Sequence, residues 1–172
     1  MDVAIALRPM KILEVMKIVG NTPTTITCAA KGCYARADLA RWAQRYGITL
    51  NPSDMRANDG DRLSRAVLAA GSPAKAETVT LALYRAIWSE GKTLSSKEDI
   101  LAVLKGANID IAGIGGGIDA PGTIAQLDAN TKEAAERGVF GSPSIFVGDT
   151  LFFGNDRLDF VREYLAGLEK AA

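Results

Sequence analysis

Residues 2–8 alternate, with Val3, Ile5 and Leu7 on one side and Ala4 and Ala6 on the other, and Pro9 closes the run. A period of two predicts a short strand there. The period then lengthens. In 11–19 the apolar positions Ile12, Leu13, Val15, Met16 and Val19 predict a short amphipathic helix that stops at Gly20-Asn21. Pro23 makes 22–27 a loop. Leu39, Trp42, Ala43 and Tyr46 recur three and four apart, which predicts a helix over 34–46 with Gly47 just past its end. Residues 48–54 are extended or irregular around Pro52.

The middle of the chain keeps the helical period. Segments 61–70 and 74–90 are alanine-rich, with Val79, Leu83, Ile87 and Trp88 apolar in the second. Ser95 with Glu98 three residues later predicts a capping box that opens a helix running to about Lys105. Residues 108–122 are glycine-rich and read as loop, and 123–137 reads as a helix stopped by Gly138.

The period returns to strand at the end. Residues 144–147 and 150–153 are short apolar runs joined by Gly148-Asp149, a two-residue hairpin signal. Asn155 then reads as the N-cap of a last helix over 156–166, with Asp156 in its first turn and Leu158, Val161 and Leu165 inward. The layout is a strand, a long helical stretch, a hairpin and a helix, with no internal repeat.

Composition narrows the chemistry more than the fold. At 172 residues with 48 % hydrophobic and 23 % charged residues, the chain can bury a core. Its formal net charge is zero, which argues against a nucleic-acid partner, since phosphates demand a concentrated basic surface. No apolar stretch reaches the roughly 18–20 residues that span a membrane, and no secretory signal is visible, so the default compartment is the cytoplasm. Histidine is absent, which removes Ser–His and Cys–His nucleophile activation. Two cysteines without histidine also cannot close a tetrahedral zinc shell, so no metal site is expected. Cys28 and Cys33 stand in Cys-Ala-Ala-Lys-Gly-Cys, not at the C-x-x-C redox spacing, and read as reduced structural thiols.

Three stretches could carry chemistry. Residues 113–118 (GIGGGI) resemble a nucleotide loop, but the last glycine of G-x-G-x-x-G is Ile118 and no strand precedes it. A flexible connector explains the stretch better. Pro143, directly before a strand, removes a ladder donor and fixes the strand's approach. Gly154-Asn155-Asp156-Arg157 lies where hairpin turns into helix. Simple capping explains Asn155; alternatively the helix start binds a carboxylate while Asp156 captures an ammonium.

Taken together, 139–147 (VFGSPSIFV), 152–159 (FFGNDRLD), Gly20-Asn21 and 38–47 (DLARWAQRYG) resemble the 2-hydroxychromene-2-carboxylate isomerases. That family is similar to kappa-class glutathione transferases and to the DsbA-like thioredoxin domain. The resemblance implies an α/β fold, a thioredoxin-like core over 1–33 and 133–172 interrupted by an all-helical insertion domain over 34–132. It implies glutathione as cofactor, held by the Ser142 backbone before a cis Pro143, by Asn155 and Asp156, and by Asn21 near the reacting thiol. The implied reaction is isomerisation of an intermediate of aromatic degradation, with a small aromatic substrate and a homodimeric enzyme.

Family members begin with one further strand and helix, joined by a Ser-Pro loop whose serine stabilises the glutathione thiolate. This chain opens at what should be the second strand, so the catalytic serine has no counterpart in it. The first strand would lie between 2–8 and 144–147, and its loss would leave open edges. The rival expectations are a DsbA-like thiol-disulfide oxidoreductase, a glutathione transferase relative, or a non-catalytic, truncated glutathione-binding remnant.

Overall fold

Side-chain caps decide where most of the central helices start. Asp59 accepts from the Arg62 N–H, and Ser72 accepts from the Lys75 N–H with Pro73 at the first helical position. In the computed structural model, which describes residues 3–171, these caps open α4 (Gly60–Leu68) and α5 (Pro73–Trp88). Before them come α1 (Ile12–Ile18), α2 (Thr24–Thr27), α3 (Ala29–Tyr46) and a 3₁₀ turn, Met55–Ala57. After them come α6 (Lys97–Gly106), α7 (Ala112–Gly117), α8 (Pro121–Glu136), the strands β1 (Ser144–Val147) and β2 (Thr150–Phe153), a 3₁₀ turn Asn155–Arg157, and α9 (Leu158–Ala171).

Ser144 faces Phe153 and Val147 faces Thr150 in the antiparallel β1–β2 hairpin, whose bounds are those the two apolar runs and their turn predict. Four other expectations are corrected. Among the described residues the predicted strand over 2–8 is not a strand (Asp2 lies outside them), and Ile5 is 75 % exposed. A strand exists only by pairing, and β1 pairs with β2 alone. The loop at 22–27 contains the single turn α2. The loop at 108–122 contains α7, because Ile114 and Ile118, one turn apart, both bury completely in the core. The capping box sits one residue later than expected, on Ser96 and Asp99. The Asp99 carboxylate accepts from the N–H groups of both Ser95 and Ser96, so Ser95 lies outside the helix.

The principal core lies within the central helices. Val79, Leu83 and Ile87 of α5 meet Ile100 and Leu104 of α6, Ile114 and Ile118 around α7, and Ala66 and Ala70 at the end of α4. Helix α8 joins this unit to the rest. Its buried Asn130 donates to the Pro9 carbonyl at 3.1 Å, and its buried Thr131 accepts from the Lys11 N–H at 3.1 Å. Both buried polar groups are thereby satisfied. Lys11 Nζ reaches Asp128 at 2.6 Å, and that carboxylate raises the ammonium pKa above its ordinary value. Farther along, Arg137 stacks over the Phe146 ring at 3.8 Å and donates to the Gly148 carbonyl at 2.9 Å, docking the hairpin against the end of α8. Helix α9 closes over the other side of the hairpin, with Tyr164 edge-on to Phe152 at 5.6 Å. Among the described residues no helix is long and apolar enough to cross a membrane.

Candidate active site

The segment between α8 and β1 is fixed at several points. Val139 is buried, and the Phe140 ring meets that of Phe153 at 4.6 Å. Asn21, just past α1, donates from Nδ2 to the Phe140 carbonyl at 2.6 Å. Ser144 Oγ donates to the Gly141 carbonyl at 2.8 Å. Between these anchors the Ser142–Pro143 peptide is cis, as the resemblance implies. Ser142 is exposed, and its N–H and C=O have no backbone partner among the described residues.

The hairpin brings its two ends together. The Gly154 N–H donates to the Pro143 carbonyl at 3.0 Å, so the 154–156 junction lies beside the Ser142–Pro143 corner. Gly154 has φ 104° and ψ 150°, a region open essentially to glycine alone. Asp156 folds back so that one carboxylate oxygen lies against Gly154, while the other pairs with Arg157 Nη1 at 2.6 Å. Asn155 does not cap a helix with its side chain, contrary to expectation. The chain enters α9 through a 3₁₀ turn whose leading residue is Gly154, which leaves the exposed Asn155 side chain turned to a groove.

That groove is what the periodicity of the chain did not disclose. Thr25 of α2 and Lys31, Tyr34, Asp38 and Trp42 of α3 line it opposite Asn155. On α3, of the residues Leu39, Trp42, Ala43 and Tyr46 whose spacing predicts the helix, Leu39 and Tyr46 are exposed and only Ala43 is buried. The helix packs instead through Gly32, where an added Cβ would lie 2.6 Å from the Thr25 carbonyl oxygen. Lys31, Tyr34, Asp38 and Trp42 follow one another along the helix, the first two exposed and the last two half-buried. The usable signal was the spacing of three and four that places those side chains in one stripe. Cys28 and Cys33 are free thiols, the first half-buried at the start of α3 and the second exposed. Among the described residues no three His, Cys, Asp or Glu side chains converge as a metal set would.

Of the five residues named from the sequence, Ser142, Pro143, Asn155 and Asp156 therefore meet at the two ends of the hairpin, and Asn21 is held against the same segment through Phe140. Comparison with known proteins decides what this arrangement belongs to. The DSBA-like thioredoxin domain matches residues 1–166. The chain belongs to that family. Within this DsbA-like family it is 31 % identical over 160 residues to a 2-hydroxychromene-2-carboxylate isomerase of Sphingobium xenophagum, covering 92 % of this chain and 80 % of the relative. It is 32 % identical over 145 residues to the protein of the same name from Pseudomonas putida, covering 81 % and 68 %. A solved structure of 2-hydroxychromene-2-carboxylate isomerase (HCCA isomerase) superposes with a TM-score of 0.80 at 27 % identity, covering 94 % of this chain and 79 % of that one. The fold of this DsbA-like chain is thus thioredoxin-like, with a small antiparallel sheet, and its relatives support an isomerase.

Proposed function

We propose that the chain is a glutathione-dependent isomerase acting on 2-hydroxychromene-2-carboxylate or a related intermediate of aromatic degradation. The observation that carries this reading is the Gly154 N–H to Pro143 carbonyl bond, which sets an unpaired Ser142 backbone beside the Asp156 carboxylate. The names of the relatives supply the reaction class.

The donor set fits glutathione. Ser142 offers one N–H and one C=O to an extended peptide, as an open strand edge does. Asp156, one oxygen of which pairs with Arg157, offers its carboxylate to the γ-glutamyl ammonium beside the start of the 155–157 turn. Bound there, glutathione would supply a thiolate that adds reversibly to a conjugated side chain and leaves after rotation about the former double bond. The chain's own part is positional. Asn21 holds the Phe140 carbonyl and so fixes the approach to Ser142, and the Phe140–Phe153 pair covers the hairpin side of the corner. Holding one reactant in register lowers the entropy cost of the encounter. The division into a thioredoxin-like core over 1–33 and 133–172 and a helical domain over 34–132 follows from the same reading.

Thermal unfolding with and without millimolar glutathione tests the site. A ligand at a hundredfold excess over Kd that binds only the folded state stabilises it by about 2.7 kcal/mol. We expect an upward shift that Asp156→Ala abolishes. An unshifted transition in the wild-type chain would refute the cofactor assignment, and a shift of equal size in Asp156→Ala would refute the role of that carboxylate.

A further inference from the structure

A second cluster of charge lies outside the hairpin corner, where α4, the start of α6 and the turn between α7 and α8 meet. Arg62 and Arg65, one turn apart on α4, and Lys97, the first residue of α6, all converge on Asp119. The three contacts are long. Arg62 Nε lies 3.4 Å from the carboxylate, Arg65 Nη1 3.6 Å and Lys97 Nζ 3.4 Å. Charge-assisted bonds close to about 2.7–2.9 Å, and Arg62 makes such a bond to Asp59 at 2.7 Å. One carboxylate is thus shared among three cations and held closely by none.

The charges do not balance either. Asp59 neutralises Arg62, but among the described residues Arg65 and Lys97 pair with no carboxylate except Asp119. Arg65 is the more informative of the two. Its side chain is only 13 % exposed, and its Nε donates to the Asp61 carbonyl at 3.3 Å, while its two Nη groups make no hydrogen bond among the described residues. No enclosed side-chain nitrogen among those residues lacks a partner, so the Nη donors open to solvent. A guanidinium fixed by its stem, with its outer donors unspent, is a rigid receptor for an oxyanion. Asp119 is 41 % exposed, so its carboxylate has water to turn into.

We infer that this cluster is an oxyanion site for a phosphate group, with Asp119 as its built-in competitor. Asp119 holds the three cations until the anion enters. Phosphate oxygens then span Arg62, Arg65 and Lys97, and the carboxylate turns to solvent. With Asp119 turned out, three cations against Asp59 leave two net positive charges, the complement of a phosphate group near its dianionic form. The anion ties α4 to α6 more closely than the shared carboxylate does, so the site acts on the stability of the helical unit and not on the chemistry at the hairpin corner.

Thermal unfolding and calorimetric titration of the whole chain in a phosphate-free buffer, with inorganic phosphate and with glycerol 2-phosphate, test the assignment. Phosphate raises the unfolding temperature, and sodium chloride at matched ionic strength does not. Lys97→Met weakens phosphate binding by about tenfold, the order of one charge-assisted hydrogen bond. Arg65→Lys, which keeps the charge and removes the fork, weakens it as well. Asp119→Asn lowers the unfolding temperature in the absence of phosphate, tightens phosphate binding by about tenfold through loss of a like charge, and regains stability when phosphate is added. A purely structural ion pair gives the loss of stability but neither the tightening nor the rescue. Binding of glycerol 2-phosphate as tight as that of phosphate assigns the site to phosphomonoesters and the free anion alike, and its exclusion assigns the free anion alone. No shift with phosphate, an equal shift with sodium chloride, or an affinity unchanged in either Lys97→Met or Asp119→Asn would overturn the inference.

Discussion

The central helices and the hairpin with α9 treat their apolar side chains in opposite ways. Between α4 and α7, Val79, Ile100, Leu104, Ile114 and Ile118 are fully buried in one continuous cluster. In the hairpin every residue of β1 is only partly buried, and along α9 Leu158, Phe160 and Leu168 are exposed. The first region is held by burial, at roughly 25 cal/mol per Å² of apolar surface removed from water. The second is held by individual contacts: Arg137 over Phe146, Tyr164 against Phe152, Asn21 on the Phe140 carbonyl. The candidate site sits at the second region, with Asn21 and the groove along α2 and α3 beside it. Binding surfaces belong where backbone groups and rings remain open, and the buried unit beside them supplies rigidity.

The sharpest way to break this comparison is to cut one side chain in each region. Leu104→Ala removes a fully buried side chain and should cost about 2–5 kcal/mol in urea unfolding, whereas Ile145→Ala in β1 should cost less than half as much. Equal losses would mean that the hairpin is packed as tightly as the helices. A smaller effect is expected at the junction. Gly154→Ala forces a side chain into a backbone conformation reserved for glycine and should cost on the order of 1–3 kcal/mol. Because that strain falls beside Asp156, glutathione binding should drop with it. Retained binding in Gly154→Ala would separate the turn from the site.

The smallest effect is electrostatic and belongs to the helical region. Hydrogen bonds from Ser96, and then Ser95, hold the Asp99 carboxyl below its ordinary value of 3.8. A depressed folded-state pKa means that its contribution is complete above the unfolded value and is lost as pH falls through the folded one. Asp99→Asn should therefore lower stability at neutral pH and flatten the acid limb of the stability curve below about pH 4. An unchanged acid limb, followed by circular dichroism of the helices, would show that the box at Ser96 and Asp99 does not contribute.

The amino-acid pattern by itself determined the long helices and the hairpin, but not the 3₁₀ turn that joins the hairpin to α9. It did so because those elements are set locally: Pro73 and Ser72 open α5, and the two-residue Gly148-Asp149 turn between two apolar runs fixes which residues of β1 oppose β2. The family resemblance pointed to Ser142, Pro143, Asn155 and Asp156, which lie near one another in sequence or across one short ladder. Tertiary packing decided everything that depends on a distant partner. The alternating residues 3–8 remain unpaired because alternation supplies a face but no neighbouring ladder. The glycine-rich stretch becomes α7 because the core takes in Ile114 and Ile118, burial that outweighs the poor helix propensity of its glycines. And the groove along Lys31, Tyr34 and Trp42 also takes in Thr25 and Asn155 from other elements, neighbours that no period within α3 could reveal.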